Sequence, residues 1–332
     1  MKCYSIEEAT VVVDQIFTGF NGEIVEGKPT FEFIQNAVDS VEPTANQPCI
    51  IYIKKGIYHE KVEINKPGIT LIGENRDETI LIYNVASGSK KADGSTYGTF
   101  GSASITVHEE DFTAFNVTFE NAFDYFLETN KEEDDSTKIR NVQAVAFSTA
   151  SNSTRTRLTN CRFRSFQDTL LTNVGTHYFD ECVIEGAVDF IFGGGQAVFD
   201  NCKIISLDRK SETNNGYITA ASTLITQPYG FLFENCMLVK ETEEMADHSV
   251  YLGRPWHPGG NPEAQGSVLF KNCDMGSHIK QDGWTQMAGF SPMDARLYEY
   301  GSKGPGALSS DSRRILSENE VADYSKERVL KC

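Results

Sequence analysis

Polar and apolar residues alternate with a period of two through six short segments, the pattern of strands with one face in a core. Five read Thr159-Asn160-Cys161-Arg162-Phe163, Asp180-Glu181-Cys182-Val183-Ile184, Asp200-Asn201-Cys202-Lys203-Ile204, Glu234-Asn235-Cys236-Met237-Leu238 and Lys271-Asn272-Cys273-Asp274-Met275. A sixth, Phe115-Asn116-Val117-Thr118-Phe119, has valine in the cysteine position. The five cysteines lie 21, 20, 34 and 37 residues apart. A spacing near 20 is one turn of a parallel β-helix, and the longer spacings are turns that carry inserted loops. The repeat predicts an all-β chain wound as a single-stranded parallel β-helix, with residues 1–332 forming one domain.

In such a coil, equivalent residues stack about 4.8 Å apart. Cys161, Cys182 and Cys202 should form an inward column. Neighbours at that separation could be bridged, but a buried cysteine behaves as a small hydrophobe, so free thiols are expected. The asparagine beside the cysteine in four of the five segments suits a turn or a side-chain ladder at a corner. An open coil exposes unpaired edges and needs caps. Phe31, Ile34, Ala37, Val38 and Val41, after Pro29-Thr30, predict an amphipathic capping helix near the N-terminus. Glu318 to Val329 predicts a C-terminal helix with Val321, Tyr324 and Val329 as its apolar contacts. The stretches 128–138, 240–248 and 258–266 read as exposed loops.

Composition narrows the partners. The net charge is −17, which disfavours nucleic acid and anionic membranes. A polyanionic substrate would need local basic residues in a cleft. No run of 18 apolar residues predicts a membrane span. The six histidines are scattered, with no CxxC, HxxxH or HExxH, so no metal site is indicated. The start, Met1-Lys2-Cys3-Tyr4-Ser5-Ile6-Glu7-Glu8, lacks the apolar stretch of a signal peptide. Two localisations follow: cytoplasmic if Met1 is the native start, secreted if a signal has been removed before it.

The candidate chemistry lies in two aspartates at one phase of the repeat. Asp168 follows Cys161 by seven residues, and Asp189 follows Cys182 by seven. Arg209 occupies the same phase after Cys202. Equal turns would stack the two carboxylates on adjacent strands, an unfavourable placement that marks chemistry or calcium binding. Each alone also fits a turn former. Asp189 sits among Val188, Phe190, Ile191 and Phe192, an apolar setting that desolvates a carboxylate. Close carboxylates titrate as a pair, leaving one ionised nucleophile or base beside one protonated acid. Ester and glycoside hydrolysis both use that division.

These residues also carry a resemblance. Gly56-Ile57-Tyr58-His59-Glu60, Gln143-Ala144-Val145-Ala146, Gln167-Asp168-Thr169-Leu170, Asp189-Phe190-Ile191-Phe192-Gly193 and Leu252-Gly253-Arg254-Pro255-Trp256 occur in that order. Together they resemble the pectin methylesterases, and bacterial members more than plant ones. The resemblance implies a right-handed parallel β-helix without metal or organic cofactor. It implies removal of methyl esters from the C6 carboxyl of galacturonate units in pectin. By position, Asp189 resembles the nucleophile, Asp168 the general acid and then base, and Gln143 and Gln167 the oxyanion donors. Arg254 resembles the arginine that holds the nucleophile. Trp256, Phe192 and Tyr217 look like sugar-stacking residues, and Thr99 and Met287 match substrate-contacting positions. Arg209 fits either a surface ion pair or a contact to a uronate carboxylate. Leu171 stands where the family commonly has tyrosine, which removes one substrate-side contact. The implied partner is methyl-esterified polygalacturonate or its oligomers, bound by a monomer.

Two other readings share the fold: a polygalacturonase-like hydrolase that protonates the glycosidic oxygen, and a non-catalytic polyuronate-binding β-helix. A pectate lyase would need clustered calcium ligands. A serine esterase would need a GxSxG elbow, which the chain lacks.

Overall fold

A computed structural model of the chain describes residues 5–44 and 48–331. Met1, Cys3 and Cys332 lie outside the described residues. The Cα positions group into two compact units, Met1–Ser165 and Phe166–Cys332. The fold is a right-handed parallel β-helix whose strands form three sheets.

In the N-terminal unit, Val11–Val13, Cys49–Ile53, Ile69–Gly73, Thr113–Phe115 and Thr156–Thr159 run parallel in one sheet. A second holds Gly56–His59, Thr79–Tyr83, Thr118–Asn121 and Arg162–Arg164. A third holds Val62–Ile64, Ile105–Val107 and Phe147–Thr149. Glu23–Val25 and Lys28–Phe31 form an antiparallel hairpin.

The first strands of two sheets are closed by side-chain amides acting as stand-in peptide groups. Gln15 accepts from the Ile57 N–H at 3.0 Å and donates to the Ile57 carbonyl at 2.8 Å. Gln35 does the same for Glu63, at 2.7 and 3.3 Å. Edge groups that would otherwise template another chain are thereby paired.

The capping helix spans Ile34–Ser40 and buries Ile34, Ala37 and Val38. It starts later than the apolar spacing suggests, because Phe31 ends a strand. Phe31 and Val41 are still buried beside it. Its free N–H groups are met by the Glu60 carboxylate, which accepts from Ile34 at 2.7 Å and Gln35 at 3.0 Å. The 128–138 stretch is not wholly exposed. Glu128, within the Tyr125–Thr129 helix, is buried and accepts from Lys131 and the Ile139 N–H.

In the C-terminal unit, the first sheet runs Thr176–Asp180, Gln196–Asp200, Phe231–Glu234, Ser267–Lys271 and Arg296–Tyr300. The second runs Val183–Gly186, Lys203–Ser206, Met237–Lys240 and Asp274–Met275. The third runs Leu170–Thr172, Val188–Gly193, Gly216–Ala221 and Val250–Gly253. Val183 pairs Lys203, Lys203 pairs Met237 and Met237 pairs Asp274, each the residue after a cysteine. The cysteine phase is therefore the strand register. Cys161, Cys182, Cys202, Cys236 and Cys273 are buried free thiols, as is Cys49.

The residue before each cysteine turns the corner in the left-handed region: Asn160, Glu181, Asn201, Asn235 and Asn272 all have φ between 48° and 56°. Asparagine tolerates that conformation better than most residues. Asn160 also donates to the Asn116 side chain at 2.8 Å, one rung of the expected ladder. Inside the C-terminal unit, Phe179, Phe199, Phe233 and Phe270 stack at 4.8, 4.4 and 4.5 Å. Each stacked pair contributes about 0.5–1.5 kcal/mol beyond its buried area.

The C-terminal tail forms two short helices, Glu318–Val321 and Lys326–Leu330, rather than one. Ser325 caps the second by accepting from the Arg328 N–H, which breaks the run. Val321 and Val329 still pack on Val198, Leu232 and Leu269, with Tyr324 against the same cluster. They cover a sheet face that would otherwise expose apolar surface.

Candidate active site

Asp189 is the second residue of Val188–Gly193, and that strand is irregular at this point. On one side Leu170 pairs Ile191 and Leu171 pairs Phe192. On the other, Val188 pairs Tyr217 but Ile191 pairs Thr219. Asp189 and Phe190 thus oppose a single residue, a bulge of the kind that re-aims a side chain. Asp189 has φ 50° and Asp168 has φ 63°. For residues other than glycine this backbone is sparsely populated, and such strain concentrates at working sites.

The register sets the two aspartates side by side. Gln167 bridges Val188, and the Asp168 N–H donates to the Val188 carbonyl at 3.0 Å. One step on, Asp168 lies opposite Asp189. Both are buried, at 8% and 6% exposure. Arg254 follows the Val250–Gly253 strand, its N–H fixed on the Thr219 carbonyl at 3.0 Å. Its guanidinium grips Asp189 with two parallel bonds, Nε to Oδ1 at 2.8 Å and Nη2 to Oδ2 at 2.6 Å. This is the strong fork geometry of arginine with carboxylate.

The electrostatics separate the two acids. Burial pushes the Asp168 carboxyl well above the usual range, and the Asp189 charge pushes it further, against the pull of Arg254. Burial also raises Asp189, but the Arg254 bond and charge, with Arg209, hold it down. The arrangement favours the proton on Asp168 over Asp189. It can therefore deliver a carboxylate nucleophile and a carboxylic acid to one bond.

Around this pair, Gln167 is half-buried next to Asp168 in the chain. Phe192 and Trp256 meet at 5.7 Å with a 57° tilt. Phe192 is only 3% exposed, so it backs the half-buried Trp256 and offers little face of its own. Met287 and Phe290 close a tight hairpin through mutual backbone bonds, and Phe290 stacks on His257 at 3.6 Å. Arg209 is half-buried. The Tyr217 ring lies under the Arg254 guanidinium, 3.8 Å from its Cζ, so that face is closed to a sugar. Leu171 is fully buried in its strand.

Gln143 and Thr99 belong to the N-terminal unit. Gln143 leaves its Oε1 buried without a hydrogen-bond partner, and Thr99 lies in the short Gly98–Gly101 helix. Tyr251, Asn214 and the His257–Phe290 stack escaped the sequence reading. Tyr217 and Tyr251 share the 34-residue separation of Cys202 and Cys236, a signal in the repeat that could have found the pair. Among the described residues, no cluster of three or more His, Cys, Asp or Glu is arranged to hold a metal ion.

The family model described as Pectinesterase matches residues 24–330. "Pectinesterase A" of Dickeya chrysanthemi is 38% identical over 325 residues, covering 92% of this chain and 88% of that protein. The solved structure "Pectin methylesterase PemA from Erwinia chrysanthemi" superposes with a TM-score of 0.90 at 36% identity, covering 97% of each chain. A pectin methylesterase solved in complex with a hexasaccharide matches equally well, with a TM-score of 0.90, 36% identity and 97% coverage of both chains.

Proposed function

Because the chain belongs to the pectinesterase family, we propose that Asp189 and Asp168 are the nucleophile and the acid–base of a methyl ester hydrolase. The reaction removes methyl esters from galacturonate units of pectin and releases methanol.

An Asp189 oxygen attacks the C6 carbonyl carbon, and the carbonyl electrons move onto oxygen. The Gln167 amide donates to that oxyanion; one such donor contributes about 3–4 kcal/mol in other hydrolases. The tetrahedral centre collapses, the C–OCH3 bond breaks, and Asp168 gives its proton to the departing methoxide. Methanol leaves and an anhydride joins Asp189 to the uronate. Asp168, now ionised, takes a proton from water, whose oxygen attacks the uronate carbonyl of the anhydride. The Asp189 carboxylate and a free galacturonate carboxyl result, and Asp168 is protonated again. Trp256, backed by Phe192, is the sugar platform, Met287 a further sugar contact, and Arg209 a partner for a free uronate carboxylate.

One observation carries this reading: two buried aspartates in register, with the arginine fork on Asp189 alone. The test is methanol release against reducing-end formation on methylated pectin. Methanol without new reducing ends is expected, and its abolition in a folded Asp189→Ala variant. Near-normal turnover in that variant would remove Asp189 from the nucleophile's role.

A further inference from the structure

Arg254 spends the edge of its guanidinium on Asp189, and its flat face rests on an aromatic column. The Cζ sits 3.8 Å from the Tyr217 ring centroid. Tyr217 in turn stacks on Tyr251, with centroids 5.6 Å apart and planes 7° from parallel. Lys280 places its Nζ over the Tyr251 ring at 5.0 Å.

Every member of this column is fixed by the coil. Tyr217 and Tyr251 are register partners of neighbouring strands. The Tyr217 N–H donates to the Ala187 carbonyl at 2.9 Å, and its hydroxyl accepts from the Asn214 amide at 2.9 Å. The backbone comes this close because residue 216 is glycine. A Cβ there would stand 1.8 Å from the Ala187 carbonyl oxygen. The Lys280 N–H donates to the Val250 carbonyl at 2.8 Å, which brings its side chain to Tyr251.

We infer that Tyr217 and Tyr251 are positioning residues for Arg254: they set the plane of its guanidinium so that both donors reach the Asp189 carboxylate. This rests on the reading of Asp189 as nucleophile. A guanidinium is weakly hydrated and binds ring faces well. Its long stem has many rotamers, and only one plane makes the fork coplanar with a carboxylate already fixed by a bulge. The ring holds that plane. Tyr251 holds the ring from the neighbouring strand.

The charged groups facing Asp189 are Asp168 from the preceding strand, with Arg254 and Arg209. Loosening Arg254 leaves Asp189 easier to protonate, so the acid limb of the rate profile must move to higher pH. A sugar platform would behave differently. Its loss raises KM and leaves the limb in place.

The experiment compares Tyr251→Leu and Tyr217→Leu with the Tyr→Phe variants at both positions, following methanol release on methylated pectin across pH. Folding is checked by thermal melting. In the leucine variants kcat should fall roughly ten-fold near neutrality, and the acid limb should rise by about half to one pH unit. KM should change little. Phenylalanine keeps the ring and should restore both readouts. Tyr251→Leu is the informative variant if Tyr217→Leu fails to fold. An unmoved acid limb in a folded leucine variant overturns the inference, whether or not KM rises. Activity surviving in Asp189→Ala would instead overturn the nucleophile assignment, so the two failures are distinguishable.

Discussion

Arg254→Met is the sharpest perturbation of the charge arrangement. Methionine keeps an unbranched stem of similar girth but removes both donors, at 2.8 and 2.6 Å, from a carboxylate that is 6% exposed. A hydrogen bond to a charged group contributes about 1.5–3 kcal/mol. Two of them favour ionised Asp189 by about 3–6 kcal/mol, and one pKa unit corresponds to 1.36 kcal/mol. The Asp189 carboxyl should then climb further above its present, already raised, position. The sign follows from the proposed chemistry: only ionised Asp189 attacks, so the acid limb moves up and the rate on that limb drops by roughly 10²–10⁴-fold. With Asp168 as the proposed acid, the alkaline limb is loss of its proton, so the bell narrows as well as shifts. Arg254→Lys keeps a charge without the fork and should fall between. The assay is methanol release on highly methylated pectin over pH 4–10, with kcat and KM separated. A rate loss uniform across pH, with the acid limb unmoved, would show that Arg254 does not maintain the charge of Asp189.

Three further outcomes can be checked. Burial holds the His177 and His278 imidazoles down at about 4, so the unfolded chain binds more protons between pH 6.5 and 4. Stability should fall across that window by roughly 3 kcal/mol per histidine; urea unfolding at pH 7 and 4.5 reads it, and a pH slope unchanged in His278→Leu would refute it. Gly193→Ala would set a Cβ 2.3 Å from the Thr172 carbonyl oxygen at a φ of +120°, which should cost at least about 1–3 kcal/mol and lower the melting temperature, while an unchanged melt would show that the turn can relax. With a net charge of −17, turnover at low salt should favour highly over sparsely methylated pectin, and the gap should close as salt rises; equal rates at low salt would discard the electrostatic argument.

The coil was legible because its register is written in small residues that recur. An inward cysteine after a left-handed corner residue marks five of the turns, and the phase of Asp168 and Asp189 follows by counting from Cys161 and Cys182. The bulge was not legible. Val188–Gly193 reads as a plain apolar strand, and the extra residue emerges only when its two neighbours pair with different registers. The capping helix start was misplaced for a related reason. Phe31 fits a helical stripe, but a strand claims it first, and the helix N-terminus is satisfied by Glu60, far along the chain. Tyr217 was legible as an aromatic near the site but not in its role, because nothing local to it shows that Arg254 will lie on its face.

The separation of the two carboxyls is therefore a property of the coil more than of either aspartate. Their backbones are alike: both in the left-handed region, both buried, both next to residues that strip water from them. Desolvation alone would raise both and leave a pair with no fixed division of labour. The asymmetry enters with one side chain at the end of the Val250–Gly253 strand, whose fork reaches Asp189 and only there makes its hydrogen bonds. A shift of one residue in the pairing of Gly216–Ala221 with Val250–Gly253 would take Arg254 off its carbonyl anchor at Thr219 and separate Tyr217 from Tyr251. The proposed nucleophile and acid would then lose their distinction, although both aspartates and Arg254 remained in the chain.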